Sequence, residues 1–458
     1  MNSFRFPAAI LLSVAIVFLA TSRSPAQTFT SLYSFTGSYD SGRPGNVTLV
    51  QGRDGLLYGT NIGHGNSNGM AFSISTAGAE SQFYSFGRDG MNPSGGLTLA
   101  TNGNFYGTTV GGGVEGDGVL FELSPSKAFK SLHEFMCCAD GSLPESSPIQ
   151  ASDGNFYGTT TGTGEASTIY KYTPAGAFST LYNFSSAQGQ FAIAPLIEGN
   201  DGNLYGTTVY AGANGCGTIF KFSKSGTLLW DYSFTCGAGG AGPNAPLFQA
   251  SDGNFYGTTN SGGNAQGCGL VFKLDRSGNV STLYSFQNGD DGCGATGIMQ
   301  ATDGNFYGTT VDGGTNNVGT LYKLSLAGAH TVLYSFASST GDIPPWPPMQ
   351  DTNGQLYGVT YVGGTFNYGT VYNFNLGLAP FATFVQHTGA IGHSAQILAQ
   401  GLTGTTAVSF NGIPASSFSV VSDTYMTAVI PAGATTGPVV VTTPSGKLTS
   451  NVNFRIVH

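Results

Sequence analysis

The chain has 458 residues, of which 9% are charged and 12% aromatic, with 71 glycines and a formal net charge of −9. Such a balance argues against nucleic acid, whose binding needs a basic face to displace counterions, and offers no attraction to anionic lipid headgroups. Low charge, abundant glycine and many aromatics suit short strands joined by tight turns, not helices or a disordered chain.

Residues 1–26 read as a secretory signal peptide. Arg5 supplies a positive start, Phe6–Ala20 is a compact apolar run, and Ser24-Pro25-Ala26 offers small residues for cleavage before Gln27. The alternative is an uncleaved N-terminal anchor. No later stretch approaches the roughly 18 apolar residues of a spanning helix, so no membrane span is expected after cleavage. Loss of Arg5 and Arg23 would take the net charge from −9 to −11.

Next comes a tandem repeat. The octapeptide DGNFYGTT stands at Asp153, Asp252 and Asp303, with variants starting at Asp54, Asn102, Asp201 and Asn353, so that seven copies are spaced by 48 to 51 residues. After each copy an alternating segment follows, such as GTIFKFS at Gly217 or GTLYKLS at Gly319. Period-two alternation with aromatic and β-branched residues predicts a half-buried strand. A third segment ends in phenylalanine, as in STLYSF at Phe286, and a fourth, short and apolar, precedes each Asp/Asn-Gly turn, as at Ala245–Gln249. Because that turn leads it into the octapeptide strand, the short segment is strand one of a blade and the other three are strands two to four. Four short strands per period of about 50 residues is the pattern of a β-propeller blade.

The seventh unit stops after GTVYNFN and has no LYSF strand, whereas an orphan SLYSF at Ser31–Phe35 precedes the first unit. The count closes if the N-terminal strand completes the last blade, which removes the open sheet edges. The expectation is an all-β chain: a seven-bladed β-propeller over residues 27–377, closed by the N-terminal strand, then a second module over 378–458.

Within the motif, Asp-Gly is a hairpin signal because the turn needs positive φ. The tyrosine is expected to pack between neighbouring blades with its hydroxyl satisfied, and the glycine to make room where adjacent sheets approach closely. The octapeptide therefore reads as scaffold in preference to a seven-fold ligand or calcium site. No metal and no cofactor is expected.

Loops joining strands two to three, and blade to blade, should share one face. Ligands commonly use loops held by a rigid scaffold, so this is the expected site. Asp40, Asp89, Asp140, Asp291 and Asp342 recur there, either as an acidic ring for cations or amines, or each capping its own turn. Trp346, set among prolines, looks exposed and suits stacking on a sugar or plugging a gap. There is no H-E-x-x-H, the six histidines show no metal-ligand spacing, and Gly-rich runs such as Gly111-Gly112-Gly113 lie between strands rather than before a helix, so catalytic residues are not assigned.

Six cysteines in an exported chain suit disulfides. Cys216 begins strand three of its blade and Cys236 follows strand four, ends that adjoin in a hairpin; Cys268 and Cys293 repeat the relation one blade on. Both bridges are expected. For Cys137-Cys138 a vicinal disulfide and free thiols both remain open.

The unit DGN-hydrophobic-YGTT…GG…GT-hydrophobic-hydrophobic-K…LYSF resembles the GloVer-type tandem repeat of bacterial exported proteins over Phe29–Leu376. That resemblance implies an extracellular or surface location and no defined activity. The chain ends at NFRIVH without an apolar tail, so a secreted or periplasmic home stands beside cell-surface attachment. Beyond Leu376, short strands at Ala407–Asn411, Phe418–Val421, Thr427–Ile430, Val439–Thr443 and Val452–Val457 resemble an IPT/TIG domain, an immunoglobulin-like β-sandwich, which implies a spacer or binding unit. Together these features point to an exported, non-enzymatic binding or adhesion protein with a carbohydrate or protein ligand. The alternatives are a propeller-type glycoside hydrolase or polysaccharide lyase with paired acids in the central funnel, and a structural envelope component.

Overall fold

The computed structural model describes residues 27–45, 47–64, 67–137, 140–162 and 167–457. The signal-peptide expectation for residues 1–26, and Cys138 of the vicinal pair, lie outside them. Apart from two single-turn 3-10 segments, Gly237–Gly239 and Gly289–Asp291, the described regular structure is all β.

Each repeat unit folds into one four-stranded antiparallel sheet. In the Asp252 unit, Phe248–Gln249 pairs with Phe255–Thr259, which pairs with Leu270–Leu274, which pairs with Val280–Ser285. The sheet of Met349–Gln350, Leu356–Thr360 and Thr370–Asn375 takes its fourth strand from the other end of the chain: Thr28 lies opposite Asn375 and Ser34 opposite Thr370. The orphan N-terminal strand therefore completes the last sheet.

The octapeptide shows why this register is stable. At Asp153-Gly154 the glycine sits at φ 81°, a region open to it at little steric cost. Asp153 Oδ1 accepts from Asn155 N at 3.1 Å, and Tyr157 Oη donates to Asp153 Oδ2 at 2.8 Å. The same tyrosine-to-aspartate bond recurs from Tyr58, Tyr205, Tyr256 and Tyr307 at 2.7–2.9 Å. Where asparagine replaces aspartate the direction reverses, with Asn102 and Asn353 donating to Tyr106 and Tyr357. The tyrosine ring packs on the next unit's motif: Tyr106 meets Phe156 at 4.0 Å between centroids and Tyr205 meets Phe255 at 4.1 Å. The first threonine of YGTT reaches the next unit as well, Thr108 donating to Ser146 O and Thr159 to Ala192 O.

The glycine has a different role from the one expected. A Cβ on Gly257 would lie 2.5 Å from Phe272 Cζ, and on Gly107 equally close to Phe121 Cζ. Each of these aromatics stands directly opposite its glycine in the same sheet. The space is thus given to a cross-strand ring, not to a neighbouring sheet.

Beyond Leu376 two further four-stranded sheets enclose their own core. One holds Thr383–Phe384, Ser394–Leu398, Tyr425–Val429 and Ser417–Val420; the other holds Ile413–Pro414, Ala407–Phe410, Val439–Thr443 and Gly446–Thr449. Ile397, Met426, Val439, Val441 and Phe454 fill the space between them, each at most 1% exposed. The first of these sheets rests on the Asp-Gly turns of the repeat region. Arg53 Nη2 donates to Gln396 Oε1 at 2.6 Å and to Thr101 O at 2.7 Å, Gln386 Nε2 donates to Ala151 O at 2.9 Å, and Gln400 Nε2 donates to Thr352 Oγ1 at 3.2 Å. Arg455 bonds Asn200 O and Glu198 in yet another unit. Contacts to so many separate turns make this segment a cap on the turn end.

Candidate functional site

The connections between units and the loops between strands two and three do share one end. Isolated bridges pair them directly: Pro44 with Asn61, Met91 with Gly111, Gln190 with Tyr210, Ala241 with Ser261 and Asp342 with Val362. Since the other end is capped, this is the end left to solvent.

Here the backbone is held unusually. Arg43, Asn92, Leu143, Phe191, Gly242, Gly294 and Ile343 occupy equivalent positions, all with φ between +54° and +68°. Their geometry is fixed from both sides. Ile343 N donates to Val318 O of the preceding unit's loop at 3.3 Å, and Ile343 O accepts from Tyr361 N, just past the second strand of its own unit, at 3.0 Å, as Phe191 O does from Val209 N at 3.0 Å. Glycine relieves the strain in two units. A bulky or β-branched residue such as Phe191 or Ile343 does not, and strain of this kind costs on the order of 1–3 kcal/mol per residue.

Among exposed polar residues such as Glu115, Asp290 and Asn316, this end also presents several large apolar side chains. Tyr39 is 93% exposed, Val114 86% and Tyr210 56%, and Met136, Phe191, Ile343 and Phe366 are exposed with them. Phe191 and Tyr210 form an edge-to-face pair at 5.5 Å.

The five aspartates do something else. Asp40 Oδ2 accepts from Thr36 N at 2.6 Å and from Tyr33 Oη at 3.1 Å, while its Oδ1 accepts from Gly37 N at 2.9 Å. Asp140 accepts from Met136 N at 2.8 Å and meets His133 Nε2 at 2.6 Å. Asp291 accepts from Gln287 N and Tyr284 Oη, both at 2.8 Å. These three cap their own turns and tie each to its own fourth strand. Asp89 lies beside Tyr84, whose hydroxyl pKa is raised by burial and by this carboxylate. Asp342 sits two residues beyond the capping position, which Thr340 takes by accepting from Tyr334 Oη at 2.9 Å. Burial, with the Asp312 charge, raises the Asp342 pKa. The aspartates are thus distributed by unit, and among the described residues no group of three His, Cys, Asp or Glu is arranged for a metal.

Trp346 is not exposed: it is 4% accessible and packs with Ala194 and Ala245. It lines a chamber of about 400 Å³ whose wall comes from the two-residue first strands, including Gln51, Leu99 and Gln350, and from Phe384, Val385 and Leu398 of the C-terminal cap. The ring thus fills the space where strands from several units converge. Its indole Nε1 has no hydrogen-bond partner among the described residues. None of the chamber's lining residues is a carboxylate.

One pattern escaped the sequence reading. Gly65–Gly69 reads G-x-S-x-G, the nucleophile-elbow spacing. Ser67 Oγ, however, lies 2.6 Å from Ser41 Oγ in a loop between strands, with no following helix.

Both expected disulfides are present. Cys216–Cys236 has Cα atoms 5.5 Å apart and Cys268–Cys293 4.4 Å, each at the loop end of its hairpin. Peptide mapping without reductant is expected to recover peptides joined 216–236 and 268–293. Recovery of 216–268 or 236–293 pairs would contradict the strand register itself.

Fold and site together define an all-β tandem-repeat protein of propeller-like architecture, with one end capped and the other rich in loops. The chain belongs to the Gloeobacter/Verrucomicrobia repeat family, whose model matches residues 17–167, 138–295 and 263–407. Among solved structures it is similar to the extracellular domain of a proposed hybrid two-component system from B. thetaiotaomicron, with 11% identity and a TM-score of 0.49, covering 94% of this chain and 57% of that one. This chain therefore spans little more than half of that domain's length. It is also similar to the periplasmic gluconolactonase of Pseudomonas aeruginosa, with 14% identity and a TM-score of 0.44, covering 70% of this chain and 98% of that one. No curated protein matches the chain.

Proposed function

We propose that this is an exported, non-enzymatic binding or adhesion protein, built as a closed seven-bladed propeller over residues 27–377 with an IPT/TIG-like immunoglobulin sandwich over 378–458. Its loop end receives an extracellular protein or carbohydrate ligand. The observation that carries the reading is the set of exposed apolar side chains at that one end, led by Tyr39, Val114 and Tyr210. Large apolar groups gathered on a solvent face mark an interaction surface, and aromatics dominate such contacts. The positive-φ scaffold supports it, because strain at Phe191 and Ile343 is retained where relaxed glycine serves other units. The two disulfides stiffen the same loops and suit an oxidising, extracytoplasmic compartment. The rival hydrolase or lyase class would need two acids converging on one bond. The C-terminal sheets, whose resemblance implied a spacer or binding unit, also cap the turn end.

The test uses residues 27–458 on arrays of glycans and of secreted proteins, with a hydrolase screen on any glycan bound. Binding is expected to fall at least about tenfold in a Tyr39→Ser/Tyr210→Ser/Phe366→Ser variant whose thermal melt is unchanged. Undiminished binding in that variant would remove the loop end as the site, and turnover of a bound glycan would favour the hydrolase or lyase class.

A further inference from the structure

The fourth repeat unit breaks the pattern of the other six in one place. In those units the fourth strand carries a short hydroxyl or a lysine opposite the third-strand position of Lys221: Ser81, Lys130, Ser179, Ser281, Thr331 and Thr30. In the fourth unit Trp230 stands there. The cause is a displaced β-bulge. Elsewhere the register slips at the middle of the third strand, as between Val271 and Phe272, but here it slips between Lys221 and Phe222. Moving a bulge re-aims the side chains beyond it. The slip leaves Leu229 bulged out and 48% exposed, and turns the indole toward the next unit. There the turn glycine normally abuts a leucine carbonyl, as Gly78 does Leu32 O and Gly328 does Leu283 O, whereas Gly278 abuts the Trp230 ring.

The result is a groove of about 560 Å³ between the fourth and fifth units, with Trp230 on its wall and Asp201, Lys221, Gln249, Asp275 and Arg276 around it. Lys221 Nζ pairs with Asp201 Oδ2 at 2.8 Å. Arg276 Nη2 donates to Asp252 O at 3.0 Å, and Asp275 Oδ1 accepts from Ser277 N and Asn279 N at 2.8 and 2.9 Å. Two cations and two carboxylates leave the rim without net charge, yet dense in donors and acceptors. A half-buried indole beside such a rim matches one ligand chemistry: the apolar C–H face of a sugar ring on the aromatic, with its hydroxyls bonded at the edge.

We propose that this groove is a second binding site, distinct from the loop end, that takes a neutral hexose-based glycan stacked on Trp230. It stands independently of the loop-end reading, since it uses none of the same residues. The full chain reports on it directly, because its two tryptophans are Trp230 and Trp346 and the second is buried. Titration with hexasaccharides of β-1,4-glucose, β-1,4-mannose and α-1,4-glucose is expected to give a saturable fluorescence change with at least one of them, retained in Trp346→Phe. By calorimetry, affinity for that sugar should drop at least about tenfold in Trp230→Ala and by a smaller factor in Arg276→Ala, a surface change that leaves the groove wall in place. The Tyr39→Ser/Tyr210→Ser/Phe366→Ser variant should bind it undiminished. Absence of a saturable change with all three sugars, or full affinity in Trp230→Ala, would overturn the proposal.

Discussion

Deletion of Thr28–Phe35 is expected to abolish the cooperative melt and leave a chain that aggregates. The segment is the fourth strand of the last sheet, paired along its length with Thr370–Asn375. Phe35 is fully buried, Leu32 and Tyr33 pack on the same cluster, and Phe29 stacks on Tyr334 with centroids 3.7 Å apart. At about 1.5–3 kcal/mol for each fully buried large apolar side chain, losing the four removes at most roughly 6–12 kcal/mol. The loss is less because Phe29, Leu32 and Tyr33 are only half-buried, yet it is still comparable with the whole net stability of a typical domain. The deletion also strips one edge of Thr370–Asn375, which then offers a strand for intermolecular pairing. Differential scanning calorimetry and size-exclusion chromatography on the deleted chain decide the matter. A monomer that melts within a few degrees of the parent would mean that the N-terminal strand is dispensable.

The second large effect concerns Asp351, beneath the C-terminal cap. Asp351 is fully buried; its Oδ2 accepts from Asn353 N at 3.1 Å and Gln400 Nε2 at 3.4 Å, and its Oδ1 has no partner among the described residues. Burial pushes its carboxyl up to about 6, against the opposing pull of those hydrogen bonds. An unfolded aspartate ionises near 3.8. Between about pH 4 and 6, therefore, the folded chain keeps a proton that the unfolded chain has released, and stability falls as pH rises. The slope is about 1.4 kcal/mol per pH unit, so this one group makes the protein about 3 kcal/mol less stable at pH 7 than at pH 4. Asp351→Asn keeps the shape and removes the ionisation. It should melt with the parent at pH 4 and well above it at pH 7.5. An equal offset at both values, or a lower melt at pH 7.5, would refute the assignment.

Much of this architecture was legible because the repeat forces each residue type to declare its role seven times. Asp-Gly marks the turns, alternation marks the strands, and the missing LYSF after GTVYNFN, set beside SLYSF at Ser31, implied that the two ends meet. The disulfides followed from the same register. What escaped the reading depends on distances that no periodicity encodes. The YGTT glycine looked like an inter-sheet spacer, but the ring that needs its space, Phe272 or Phe121, lies across the same sheet. Trp346 among prolines looked exposed, yet it is buried against Ala194 and Ala245. The recurring aspartates invited both a ring and a set of caps; the backbone bonds to Asp40, Asp140 and Asp291 fit the caps. Trp230 had a signal, since LWDYSF breaks the small-residue pattern of STLYSF, but only the shifted bulge shows where the indole goes. The cap on the turn end had no signal at all, for Arg53, Gln396 and Arg455 are far apart in the chain and act only once both parts are folded.

The pairing of Thr28 with Asn375 also sets an order of events in time. The strand made first is seated last, because its partner is among the final residues of the repeat region. At about 5–20 residues per second, synthesis alone holds the two apart for roughly 20–70 s. Throughout that interval TFTSLYSF is uncharged and rich in aromatic and β-branched residues, which makes it an adhesive segment for other chains. A substitution that slows any of the units in between prolongs this exposure, so its first symptom would be a lower yield of soluble protein, with the melting temperature of what survives unchanged.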